Sequence, residues 1–224
     1  MKEVTRSADI DVVVIEGEGA SFCSGFDLAA CAEVPARARD LLAGLAACVC
    51  ALRELDMPVV ARVQGAALAG GCALLTGCDF VVVATDAQFG YPVHRIGISP
   101  AVTTPTLLSR MGPGARALLL SNELIDGRTA LARGLATHCA EPAELDTEVD
   151  RLVERLLAKG PTAMRATKRW IREIERRGAG DIGPSTGRDG AATAAACSAS
   201  LELVAGDEFA SMLRTFWAAR SQGR

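Results

Sequence analysis

Aromatic side chains are scarce, at 4% of the chain with Tyr91 the single tyrosine, which suits close backbone packing more than large aromatic pockets. Histidine is almost missing: His94 and His138 are the only two. No run approaches the roughly 18 to 20 apolar residues that a membrane-spanning helix needs. The opening, MKEVTRSADIDVVVIEG, has no apolar stretch behind a basic one. A soluble, unexported, cytoplasmic protein is therefore expected. None of the 8 cysteines forms a CxxC pair, and most lie within apolar runs, as small hydrophobes do in a reducing compartment. Cys48 and Cys50 fall on different faces of a helix, which is poor geometry for a metal. The charges, net -3, are dispersed rather than gathered into a basic stripe. That excludes nucleic acid and anionic membrane as expected partners and leaves a small molecule.

What the chain does have is 224 residues, enough for one substantial core without disulfides or metals. Ile10 to Ile15 (IDVVVI) is a continuous β-branched run that reads as a strand covered on both faces, ending at Gly17 and Gly19. Arg37 to Leu55 spaces Leu41, Leu45, Val49 and Leu52 as a helix, and Asp56-Met57-Pro58 stops it. Val59 to Val63 and Phe80 to Val83 are further short strands, with a small-residue helix over Gly70 to Thr76 between them and a Gly90/Pro92 loop behind. This alternation implies an α/β core. After Pro105 the pattern turns helical, over Thr106 to Met111, Ala115 to Leu120 and Arg128 to Arg133. Helices at about 144 to 159, 162 to 177 and Glu208 to Arg220 follow. A boundary near Pro142 separates a core, 1–142, from a helical segment, 143–224. The Gly-, Ser- and Pro-rich stretch Asp181 to Gly190 is the expected mobile segment.

Two loops that follow strands carry the chemistry. In Ser21-Phe22-Cys23-Ser24-Gly25-Phe26-Asp27-Leu28, Gly25 permits positive φ and Asp27 can cap the helix that follows. Ala67-Leu68-Ala69-Gly70-Gly71-Cys72 leaves the amides of a helix start open to a ligand, at the positive end of the helix dipole. One amide from each loop, aimed at one point, binds a thioester carbonyl oxygen and stabilises the enolate or tetrahedral anion formed from it. Either loop alone reads first as a tight turn. Together, the series IDVVVIEGEGASFCSGFDL, PVVARVQGAALAGGCALLTGCDFVVVATDAQFGYP and RIGISP resembles the crotonase (enoyl-CoA hydratase/isomerase) superfamily in order and spacing. The likeness is close over about residues 10 to 142, and GDEFASMLRTFWAAR is similar to the family's closing helix.

The resemblance implies an α/β fold, a crotonase-like spiral of ββα-type turns with a C-terminal helical trimerisation segment, assembled as a homotrimer or hexamer. It implies a lyase or isomerase of the enoyl-CoA hydratase group, with an acyl-CoA substrate in which coenzyme A is part of the substrate, and no metal or separate cofactor. It assigns the oxyanion-hole amides to Phe26 and Gly70. Substrate contacts fall on Ser24, Gly25, Asp27, Leu28, Ala69, Gly71, Tyr91, Pro92 and Val93.

The chain also departs from the family. Hydratases of this type carry one glutamate in a GGGCEL-like string and another in an FGxPE-like string; the matching positions here are Ala73 and Val93. General acid/base groups contribute about 10²- to 10⁴-fold each, and neither side chain supplies one. His94, beside Val93, is the candidate substitute base; Tyr91 and Asp27 are weaker candidates, better read as pocket wall and helix cap. Two rival functions follow: a non-catalytic CoA-thioester binder, and a thioester or β-diketone hydrolase using His94. A Ser-His-Asp triad through Ser24 or Ser99 lacks the G-x-S-x-G elbow, and His138 reads as structural or exposed. The segment VHRIGISPAVTTP resembles the corresponding part of methylglutaconyl-type hydratases, a hint of branched acyl groups. The sequence begins after the place where the family has an opening hairpin and helix: either the start is misassigned or truncated, or part of the usual CoA cradle is missing and a strand edge is exposed.

Overall fold

The computed structural model describes residues 9–34, 36–177, 202 and 206–221. Asp181 to Gly190 lies outside them. The chain divides into two compact units, 1–154 and 155–224, so the first extends beyond the Pro142 boundary that the sequence suggests.

In the first unit, β1 (Val13–Glu16), β2 (Val59–Val63), β4 (Phe80–Ala84) and β7 (His138–Ala140) form a parallel sheet in the order β1-β2-β4-β7. A second sheet holds β3 (Ala66–Leu68), β5 (Gln88–Gly90) and β6 (Ile125–Asp126), parallel between β3 and β5 and antiparallel between β5 and β6. These three short strands escape the sequence reading because two or three residues are too few to show a period. Helices α1 (Leu28–Glu33), α2 (Ala36–Glu54), α3 (Gly70–Leu75), α4 (Thr104–Met111), α5 (Gly114–Ser121), α6 (Gly127–Ala132) and α7 (Leu145–Leu157) connect and extend the sheets. No helix among the described residues is long and apolar enough to cross a membrane.

The core is built on the two central strands. Val59, Val60 and Val63 of β2 and Val81, Val82 and Val83 of β4 are fully buried, as continuous apolar runs in a parallel sheet demand. β1 differs from its sequence reading: among the described residues it pairs with β2 alone, and Val14 is 42% exposed. An edge position leaves one flank of the strand without a ladder partner, so the β-branched run by itself does not guarantee cover on both faces.

Polar groups lock the turns between these elements. Asp79 accepts a hydrogen bond from the Val59 N–H through Oδ2 at 2.7 Å, fixing the start of β2. Arg110 on α4 donates to the carbonyls of Cys78 at 2.7 Å, Leu135 at 2.8 Å and Leu75 at 3.3 Å. Its guanidinium fork thereby satisfies acceptors from the end of α3 and from the turn before β7. In the second unit, α8 (Pro161–Arg177) and α9 (Asp207–Ser221) are joined by Glu208. Its carboxylate accepts from the N–H groups of Thr162 and Ala163 at 2.9 and 3.0 Å, a helix N-terminus capped from a distant position.

Candidate functional site

The two glycine-containing loops are stitched together by backbone bonds. Cys23 N–H donates to the Ala66 carbonyl at 3.1 Å, and Leu68 N–H donates to the Cys23 carbonyl at 2.9 Å, a single parallel bridge beside β3. A Cβ at Gly71 would overlap the Cys23 carbonyl oxygen and stand 3.0 Å from the Cys23 Cβ, so only glycine lets α3 begin this close to the first loop.

Ala69 sits at φ 51°, ψ -107°, a backbone region that side chains rarely occupy. Two bonds hold it there: its N–H donates to the Gly90 carbonyl at 2.8 Å, and its carbonyl accepts from Ala73 N–H at 3.0 Å. The consequence appears one residue on. Gly70 N–H, the first amide of α3, meets no acceptor among the described residues, and neither does Phe26 N–H in the facing loop. The Phe26 ring covers Gly70, with Cε1 3.4 Å from where a Cβ would stand.

These amides border a cavity of about 140 Å³. Of the residues singled out in the sequence, Ser24, Gly25, Phe26, Leu28, Ala69, Gly70, Tyr91, Pro92 and Val93 line it. Ala73, 1% exposed, lines it too, beside Val93. Three others stand outside the lining. Asp27 Oδ1 accepts from Ala30 N–H at 3.0 Å and caps α1. Gly71 acts through its approach to Cys23. His94 is exposed, its Nδ1 3.4 Å from Asn122 Oδ1 beyond α5. The cause is local: Pro92–Ile96 is a 3₁₀ turn, in which successive side chains project about 120° apart, so Val93 faces the cavity and His94 does not.

The remaining wall is Leu42 and Leu45 from α2, Ile96 at the end of the 3₁₀ turn, and Ile98, Ser99, Pro100, Val102 and Thr103 beyond it; of these the sequence raised only Ser99 as a functional candidate, the nucleophile of a triad. Leu45 gave a signal as one of the apolar series on α2, but periodicity names a face and not the cavity that the face covers. Tyr91 and Thr103 share a hydroxyl hydrogen bond of 3.1 Å in the floor. Burial pushes the Tyr91 phenol well above its ordinary range, with the neighbouring Cys72 acting in the same direction. Burial likewise raises the Cys72 thiol to about 12; its Sγ donates to the Ala67 carbonyl at 3.0 Å. Among the described residues, no Asp, Glu, Lys, Arg or His lines the cavity. His138 lies on β7, its Nδ1 2.9 Å from Thr137 Oγ1 and its ring 6.3 Å from that of Phe80, a packing role away from the cavity.

The fold is thus an α/β core in which two amides without acceptors among the described residues border a pocket lined mainly by apolar side chains. Residues 1–178 match the family described as enoyl-CoA hydratase/isomerase, and the chain belongs to that family, within the crotonase superfamily. A crotonyl-CoA hydratase of Syntrophomonas wolfei is 36% identical over 163 residues, 71% of this chain and 63% of the relative. A short-chain-enoyl-CoA hydratase of Clostridium acetobutylicum is 30% identical over 75% of this chain and 66% of its own length. The chain thus spans a little under two thirds of these curated relatives. Among solved structures, Pseudomonas aeruginosa AtuE is 30% identical with a TM-score of 0.81, covering 92% of this chain and 79% of that one. An enoyl-CoA hydratase/isomerase from Marinobacter aquaeolei superposes with a TM-score of 0.84 at 23% identity, over 97% and 83% of the two chains, a likeness of fold.

Proposed function

We propose that this protein binds a short acyl-CoA thioester with its carbonyl oxygen between the N–H groups of Phe26 and Gly70, and that it polarises this carbonyl without adding water. The observation that carries the reading is the pair Ala73 and Val93, both lining the cavity where the family resemblance puts glutamates. Two amides without internal acceptors favour an anionic oxygen over a neutral one, since the charge-assisted bonds to it are about twice as strong as neutral ones. Loss of two acid/base groups removes about 10²- to 10⁴-fold for each, which leaves hydration negligible while binding persists. The cavity volume supports a short acyl group: a dry cavity of about 150 Å³ holds a molecule the size of benzene. Any reaction here takes its proton from solvent or its electrons from the substrate itself. The hydrolase reading through His94 loses support because that imidazole faces Asn122.

Calorimetric titration with crotonyl-CoA and acetoacetyl-CoA, paired with the loss of enoyl absorbance on crotonyl-CoA hydration, tests the reading. Binding without measurable hydration is expected. Hydration at the pace of an enzyme with both glutamates overturns the second half of the reading, and failure of both thioesters to bind overturns the first.

A further inference from the structure

Among the described residues of the first unit, Tyr91 and the cysteines aside, the buried polar side chains are Thr76 at 4% and Thr103 at 2% exposure. Burying a hydroxyl is unfavourable unless it is hydrogen-bonded, and both belong to one connected set. The Thr103 and Tyr91 hydroxyls are 3.1 Å apart. Thr106 Oγ1 lies 3.0 Å from the Thr103 carbonyl oxygen and 2.7 Å from Thr76 Oγ1. Thr76 Oγ1 in turn lies 2.7 Å from the carbonyl oxygen of Ala73 in α3. The set thus starts at Tyr91 and ends at Ala73, both lining the cavity, and α3 is the helix whose first amide is that of Gly70. The other hydroxyls of the lining, on Ser24 and Ser99, belong to exposed residues and take no part in it.

Thr103 stands immediately before α4, where a threonine side chain ordinarily accepts from an N–H of the first helical turn. Here it makes no such bond. Its backbone is already in the helical region, at φ -92° and ψ -17°, whereas a capping residue is extended. The hydroxyl goes to Tyr91 instead, across 12 residues of sequence. A local stabilisation of α4 is given up for a contact with the cavity wall.

We infer that Thr103 is a positioning residue: its side chain holds the Tyr91 wall, and its carbonyl, through Thr106 and Thr76, holds the helix that carries the Gly70 amide. This rests on the binding reading above. The wall and the helix come from different segments of the chain, and α4 is the third element that ties one to the other. An acyl group lying against Tyr91 is thereby placed at a fixed distance from the amides that take its carbonyl oxygen. Hydrogen bonds weaken steeply with distance and angle, so a wall displaced by about 1 Å takes the carbonyl out of line with its donors.

The test is calorimetric titration of the purified full chain with acetyl-CoA and with S-ethyl-CoA, a thioether that has a methylene in place of the carbonyl. The ratio of the two affinities isolates the contact to the carbonyl oxygen. In the parent, acetyl-CoA is expected to bind about tenfold more tightly, and Thr103→Val and Thr76→Val to lower that ratio at least about threefold each. Tyr91→Phe, which breaks the Thr103 bond from its other end, should match Thr103→Val, and Thr103→Ser should restore the parent ratio. Thr137→Val removes a hydroxyl bonded to Val81 N–H at 2.9 Å outside the cavity lining, and should leave the ratio unchanged. A ratio kept in both Thr103→Val and Tyr91→Phe, or a loss of both affinities in equal measure, overturns the positioning role and leaves the binding reading standing. Equal affinities for the two ligands in the parent remove the carbonyl contact itself, and binding of neither removes the binding reading; the inference falls with either.

Discussion

Gly71 lies against the Cys23 carbonyl with no room for a side chain, and this contact sets the separation of the two loops whose amides face the cavity. Two backbone bonds tie Cys23 to Ala66 and Leu68, and the missing side chain of Gly71 lets α3 start against the same residue.

Gly71→Ala should therefore act on both stability and ligand. The added methyl forces α3 or the Ser24 loop to move, at a cost of about 1 to 3 kcal/mol, as overpacking does elsewhere. Urea unfolding should show the lower midpoint, and calorimetry a weakened affinity for acetyl-CoA; unchanged affinity would show that the loop spacing does not set the site.

Ala69→Gly should move in the other direction. At φ 51°, ψ -107°, an alanine stores strain of order 1 to 3 kcal/mol, and glycine removes it while losing about 0.4 to 1 kcal/mol to its freer unfolded chain. A net gain of about 1 kcal/mol is expected in denaturant melts, with thioester binding retained.

Arg110→Met should remove the guanidinium bonds to the Cys78 and Leu135 carbonyls, while the Leu75 carbonyl keeps its bond from Cys78 N–H. A buried acceptor left without a partner costs about 1 to 3 kcal/mol, and a loss of that order is expected from urea midpoints. Arg110→Lys should rescue less than half of it, because a single ammonium does not reproduce the guanidinium fork.

His94→Ala should leave acetyl-CoA affinity unchanged, since the imidazole stands outside the cavity against Asn122. A tenfold fall in affinity would place His94 in the site after all.

Stability should fall at alkaline pH. Burial raises the Cys72 thiol to about 12 and moves the Tyr91 phenol upward as well, so the native state holds protons that the unfolded chain has lost. The stabilisation from Cys72 is complete below its unfolded value, near 8.5, and declines as pH climbs toward 12, by about 1.4 kcal/mol per pH unit in that window. Urea midpoints at pH 7.5, 9 and 10 read it, taken as approximate settings around that unfolded value. In Cys72→Ala the slope over this range should flatten. Cys48 and Cys50, both exposed, should react with a thiol reagent at neutral pH, and Cys72 should not.

The sequence by itself determined the apolar strands of the central sheet, because the residues of β2 other than Arg62, and those of β4, are apolar on both faces. It determined the longer helices too: Leu41, Leu45, Val49 and Leu52 mark α2 whatever surrounds it. The glycine loops and the absence of glutamate at positions 73 and 93 were equally legible, since each is a matter of residue identity and order. Tertiary structure alone decided the rest. That Val14 of β1 is half-exposed follows from its place at the end of the sheet formed by the described residues, which its own β-branched run does not reveal. Whether His94 reaches the cavity depends on the 3₁₀ turn that separates it from Val93 by about a third of a revolution. Whether the amides of Phe26 and Gly70 stay unbonded depends on Gly90, Cys23 and Ala66 holding the loops from distant parts of the chain. A sequence names the groups a site has to work with; long-range backbone bonds decide which way they face.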